Sequence, residues 1–206
     1  MRSVLVGATL ALGFVFALWA NTPRIPRGLT VVMDFRGAHS DKSIHEMQLE
    51  TASILKDTGI KLDWRLLNQT EGRAYPDLVV MTFRGACQFD RVVREYDLQG
   101  PLASTKTTDH QIQSFGQVDC DHVVSSARSA MFGGDFAHAD LLVGRALGRV
   151  VTHELVHMLT GAKDHGHDGV FESGLSGRQL IAPKLPLSPA DLDRLLYGGE
   201  SEQVIQ

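Results

Sequence analysis

No excess of positive charge marks this chain: 20 Lys and Arg stand against 24 Asp and Glu, a formal net charge of −4. With no basic stripe and no basic patch interleaved with aromatics, a nucleic-acid partner is not expected. The sequence also lacks a glycine-rich phosphate loop and any internal repeat, which removes nucleotide-cradling loops and solenoids from consideration. Cysteine is down to two residues, Cys87 and Cys120, and methionine does not recur after Met158. What is left, 206 residues with 43% hydrophobic and 21% charged side chains, has the balance of one globular domain.

A single long run is free of charge, Val4 to Ala20, behind Met1-Arg2-Ser3. It reads either as an export signal or as an N-terminal membrane anchor, so residues 1–20 imply an exported protein, secreted, periplasmic or held at the membrane through residues 4–20. Leu18, two places before Ala20, makes a poor small-residue cleavage site and keeps the anchor reading open. Residues 21–28, with Pro23, Pro26 and two Arg, form a linker, and residues 29–206 are expected to be the folded domain.

The domain reads as α/β, or α+β, with a mixed sheet packed on helices. Leu29 to Phe35 is a buried strand ended by Gly37, and a helix capped by Asp41 or Ser43 runs to about Asp57. Ile60 to Leu67 alternates as a second strand, with Ile60, Leu62, Trp64 and Leu66 on one face. Leu78 to Phe83 is apolar enough for a third strand covered on both sides. Strand, helix, strand at these lengths makes the first two strands parallel. Leu102 to Thr107, rich in Thr and Ser, suits an exposed edge strand, whereas Gln111 to Val118 is loop-like. A helix starting at Asp119 or Asp121 runs to about Met131. Lys163 to Gly177 is a glycine-broken loop, and Ser188-Pro189 opens a short last helix to Tyr197.

The rest is organised around Ala139 to Gly161. Its apolar residues recur at helical spacing over about six turns, and Gly161 is placed to cap the end. Inside it lies His153-Glu154-Leu155-Val156-His157. Residues four apart share a helix face, so His153 and His157 can offer two imidazole nitrogens to one metal ion, with Glu154 beside them as a base for a water there. An ordinary amphipathic helix would not bury two imidazoles and a carboxylate on an otherwise apolar surface without something to pair them.

Zinc in a hydrolytic site needs a third protein ligand and an open position. Gly161 lets the chain reverse, and Lys163-Asp164-His165-Gly166-His167 then runs back past the helix end. His165 is the favoured ligand, with His167, Asp164 and Glu172 as alternatives; Asp164 can also orient a ligand imidazole from behind. Cys87 and Cys120 are too far from the motif in sequence to be preferred ligands. Behind an apparent export signal they are expected to form a disulfide.

These residues resemble the zincin metallopeptidases. The single helix with a returning loop is most similar to the metzincin branch, whose pattern is HExxHxxGxxH; in this chain the glycine is one place late, at Gly161, and the histidine two places late, at His165. Gly144 to Arg149 leading into His153, Lys163 to Val170, and Val118-Asp119-Cys120-Asp121 are similar to a set of uncharacterised exported bacterial proteins. The resemblance implies a metzincin-like single domain in which the edge strand, Leu102 to Thr107, lies above a cleft and pairs with an extended peptide. Metzincins also place a Met beneath the metal. Without one after Met158, either a residue within Val170 to Leu175 forms that floor or the lower half is truncated.

The activity expected is therefore zinc-dependent hydrolysis of peptide bonds, with one Zn²⁺ on His153, His157 and His165 and Glu154 as general base, acting on a peptide or protein substrate. An amidase or esterase acting on a small or cell-wall substrate, or an inactive metal-binding protein, are the alternatives. Glu154 favours an enzyme, because zinc binding does not require it. Tyr197 or His110 are candidates for a second oxyanion donor.

Overall fold

The computed structural model describes residues 25–90 and 100–198. Residues 1–20, expected to be an export signal or anchor, and most of the expected linker lie outside the described residues, and among the described residues no helix is long and apolar enough to cross a membrane. The described chain is α/β. Five strands, β1 (Gly28–Phe35), β2 (Lys61–Leu66), β3 (Leu78–Arg84), β4 (Ala103–Thr108) and β5 (Gln111–Asp119), form one mixed sheet in the order β2-β1-β3-β5-β4. Five helices accompany it: α1 (Asp41–Leu55), α2 (Cys120–Ala130), α3 (Ala139–Thr160), α4 (Gly177–Ile181) and α5 (Pro189–Tyr197).

As expected, β1 and β2 are parallel and are joined through α1. β3 pairs parallel with β1 and with β5, and β4 alone is antiparallel, at the edge. Period-two alternation sends Leu29, Val31 and Met33 of β1 and Val79, Met81 and Phe83 of β3 to one face, where they meet Met47 and Leu55 of α1 and Val123 and Ala127 of α2. Val143, Leu147, Val151 and Leu155 bring α3 into the same core.

Two expectations change. β3 is less evenly covered than a strand packed on both sides: Val79, Met81 and Phe83 are buried, whereas Val80 and Thr82 on its other face are half-buried and Leu78 is exposed. Residues 111–118 are not a loop but most of β5. Gln111, Gln113, Ser114 and Gln117 gave that strand no apolar rhythm, and its core face near α3 is only Gly116 and Val118. Gly116 matters because a Cβ there would lie 2.5 Å from Met158 Cε, so the glycine lets α3 lie close against β5.

Helix starts follow side-chain capping. Ser40, rather than the expected Asp41 or Ser43, caps α1 by accepting from Ser43 N, and Asp119 accepts from His122 N to begin α2. The long helix is anchored from behind. A Cβ on Gly144 or Gly148 would meet Ser43 O or Met47 O of α1 at 2.5 and 2.8 Å, so the two helices touch along a glycine seam. Within that seam Arg149 is fully buried; its Nε donates to Glu50 Oε1 at 2.8 Å and its Nη2 to Ala182 O at 2.6 Å, while Nη1 bonds Gln179 O. Cys87, beyond β3, and Cys120, at the start of α2, form a disulfide with Cα atoms 4.8 Å apart.

Candidate metal centre and cleft

The last two turns of α3 carry His153, Glu154 and His157, and Gly161 ends the helix in the left-handed region at φ 69°, its N–H returning to His157 O. The reversal brings His165 back to the helix face. The Nε2 atoms of His157 and His165 lie 3.2 Å apart, and one ring nitrogen from each of His153, His157 and His165 lies within 4.8 Å of the others, a group that could hold a metal ion.

Backbone carbonyls fix how two of these rings present themselves. His153 Nδ1 is 3.0 Å from Val170 O and His157 Nδ1 is 2.6 Å from Ala162 O. A carbonyl can only accept, so each Nδ1 carries the proton and each Nε2 keeps its lone pair. Burial pushes both imidazoles toward the neutral form, lowering His157 and bringing His153 down to about 4. Neutral imidazoles with oriented Nδ1–H groups are what a metal ligand requires.

Beneath them sits Phe171, fully buried, its ring centroid 5.1, 4.7 and 5.6 Å from those of His153, His157 and His165. It is placed by the turn Gly169–Phe171: Val170 N donates to Pro186 O at 3.0 Å, and Gly166 N to Phe171 O at 3.0 Å. Phe171 falls within Val170 to Leu175, the stretch from which the resemblance would draw a floor.

The other candidates do not join the three imidazoles. His167 is exposed, and Asp164, three-quarters exposed, pairs at 3.6 Å with Arg194. Glu172 lines the cleft but accepts from Gln179 Nε2 at 2.6 Å. Tyr197 is 73% exposed at the end of α5, and neither it nor His110, in the β4–β5 turn, lines the cleft.

That cleft has a volume of about 630 Å³. One wall is the segment from Gly100 into β4; the other is Glu172 to Leu175, with His153, Glu154, His157 and His165 between them. Glu154 is 4% exposed, and burial raises its carboxyl to about 7, while a hydrogen bond from Thr105 Oγ1 acts in the opposite direction. Sequence reasoning missed Thr105, whose one signal is that it falls on the expected edge strand, and missed α4, whose five residues show no periodicity. Compared with known proteins, the chain matches no protein-family model and no curated protein.

Proposed function

We propose that the chain is a zinc-dependent hydrolase, and specifically a metalloendopeptidase of the zincin type with a metzincin-like returning loop. The observation that carries the reading is the meeting of three imidazoles, two of them with Nδ1–H anchored on carbonyls, beside a buried carboxylate that faces the same cleft. The donor set fits zinc. Imidazole nitrogens suit it, three leave a fourth position open, and two zinc–nitrogen bonds of about 2.0–2.1 Å at a tetrahedral angle span about 3.3 Å, against 3.2 Å between His157 and His165.

His153, His157 and His165 would hold the ion, which when bound supplies Lewis acidity to a water and to a carbonyl oxygen. Glu154 takes a proton from the attacking water and delivers it to the amide nitrogen as the C–N bond breaks. Burial raises this carboxyl, the direction that suits a group holding a proton between the two halves of that task. The edge strand β4 gives an extended peptide a place to pair along one wall of the cleft, which favours a peptide over a compact substrate. The disulfide agrees with an exported protein.

The test is cleavage of a broad peptide library by the full chain, read by mass spectrometry, with Glu154→Gln and a chelator as controls. Chelator-sensitive cleavage by the wild type, lost in E154Q at unchanged zinc content, is the expected result. Full zinc with no peptide cut would sink the peptidase reading in favour of a small-substrate hydrolase or an inactive binder.

A further inference from the structure

Thr105 is on the edge strand, yet its Oγ1 donates to Glu154 Oε2 at 2.5 Å, joining residues 49 apart in sequence. Three features of the fold create this contact. Thr105 pairs with Gly116 of β5, so its side chain shares the face that α3 covers. Gly116, lacking a Cβ, lets Met158 of α3 close on the sheet at that register position. The pairing of β4 with β5 then shifts register between Thr105 and Thr107, an irregularity of the sort that re-aims side chains beside active sites. Among the described residues no second donor to the Glu154 carboxylate is found.

We propose that Thr105 is a positioning residue: its hydroxyl holds the Glu154 carboxylate in the orientation needed for proton transfer, from the strand against which an extended substrate would lie. The inference rests on the hydrolase reading of the site. α3 fixes the backbone of Glu154, but a glutamate on a helix still has three side-chain torsions to settle, and a directional bond from the opposite wall settles them. Because the bond originates on β4, the strand that receives substrate and the group that acts on it are mechanically one unit. A hydroxyl that merely satisfied a buried carboxylate would matter for stability and leave turnover by the folded protein untouched.

The experiment compares Thr105→Val, which keeps the shape and removes the donor, with Thr105→Ser, which restores it. In the full chain T105V should lower kcat by about 10- to 100-fold, the usual range for supporting partners of a site. KM and zinc content should stay within twofold of wild type, and T105S should recover most of the loss. Equal kcat in wild type and T105V, or no recovery in T105S, overturns the proposal. A second readout uses chelator-stripped protein without substrate: a double-mutant cycle of melting temperature with T105V, Glu154→Leu and both, in which non-additive shifts are expected and additive ones show that the bond holds nothing. If zinc-loaded wild type cleaves no peptide, the peptidase reading fails by itself. The cycle still decides whether Thr105 holds Glu154.

Discussion

His157 Nε2 and His165 Nε2 lie 3.2 Å apart although one is in the last turn of a helix and the other beyond its glycine stop. Two lone pairs brought this close repel unless a proton or a cation lies between them. The full chain should therefore purify with about one zinc per molecule, the stoichiometry of a single site. His165→Ala should strip most of it, while His39→Ala, His45→Ala and His167→Ala should not. Full zinc in H165A together with loss in H167A, measured by atomic emission, would make His167 the third ligand instead.

The titrations of Glu154 and His153 work against each other in chelator-stripped protein. Glu154 is raised from 4.5 to about 7, so its contribution to stability is fully present below pH 4.5 and is lost as pH rises toward 7. His153 is lowered from 6.5 to about 4, so its contribution is present above pH 6.5 and is lost as pH falls toward 4. His157, also lowered by burial, adds to the acid side. Glu154→Gln removes only the first slope. Stripped E154Q should melt higher than wild type above pH 7, and the gap should close near pH 4.5. A gap independent of pH in calorimetric scans would show that the carboxyl is not shifted.

Arg149 should be among the costliest surface-free charges to remove. Its guanidinium bonds Glu50 and two backbone carbonyls from inside a fully buried position, and burial pulls its pKa down while Glu50 offsets that. Arg149→Ala leaves those carbonyls and Glu50 without their donor, and breaking such a pair typically costs about 3–5 kcal/mol. Denaturant midpoints would register it. A change under about 1 kcal/mol would mean that water replaces the guanidinium without penalty.

Much of the fold was legible because burial and periodicity agreed. β1, β2, α1 and α3 stand near their expected bounds, with apolar residues at the strand or helix repeat. β5 was illegible for a physical reason: parallel to β3 and pressed by α3, it satisfies its core face with Gly116 and Val118, which leaves no alternation to read. His153 and His157 were legible because residues four apart share a helix face, and His165 because the chain reverses at Gly161. Thr105 was not, since its meeting with Glu154 depends on sheet register, and neither were the carbonyls of Ala162 and Val170, which every residue has.

The disulfide closes a loop across 33 positions, from the end of β3 to the start of α2. In the chain-entropy model that is worth about 3–4 kcal/mol. Cys87→Ser with Cys120→Ser should lower the melting temperature and leave zinc content unchanged, since neither sulfur belongs to the imidazole group. Zinc lost in proportion to folded protein would agree with this; zinc lost from protein that is still folded would not.

Phe171 offers the sharpest test of how the centre is kept in shape. Its ring lies against all three imidazoles, and it is fully buried. Phe171→Ala removes that floor and opens a cavity, which for a buried Phe typically costs about 3–5 kcal/mol. Stability alone would not separate a floor from ordinary core. Phe171→Met does, because a flexible thioether fills the volume with less stability loss but gives the rings a softer support. If Phe171 sets the ring orientations, F171M should remain folded while its zinc affinity falls and the visible spectrum of cobalt-substituted protein changes. If it is only core, F171M should bind zinc as wild type does and keep the cobalt spectrum, whatever happens to its melting temperature.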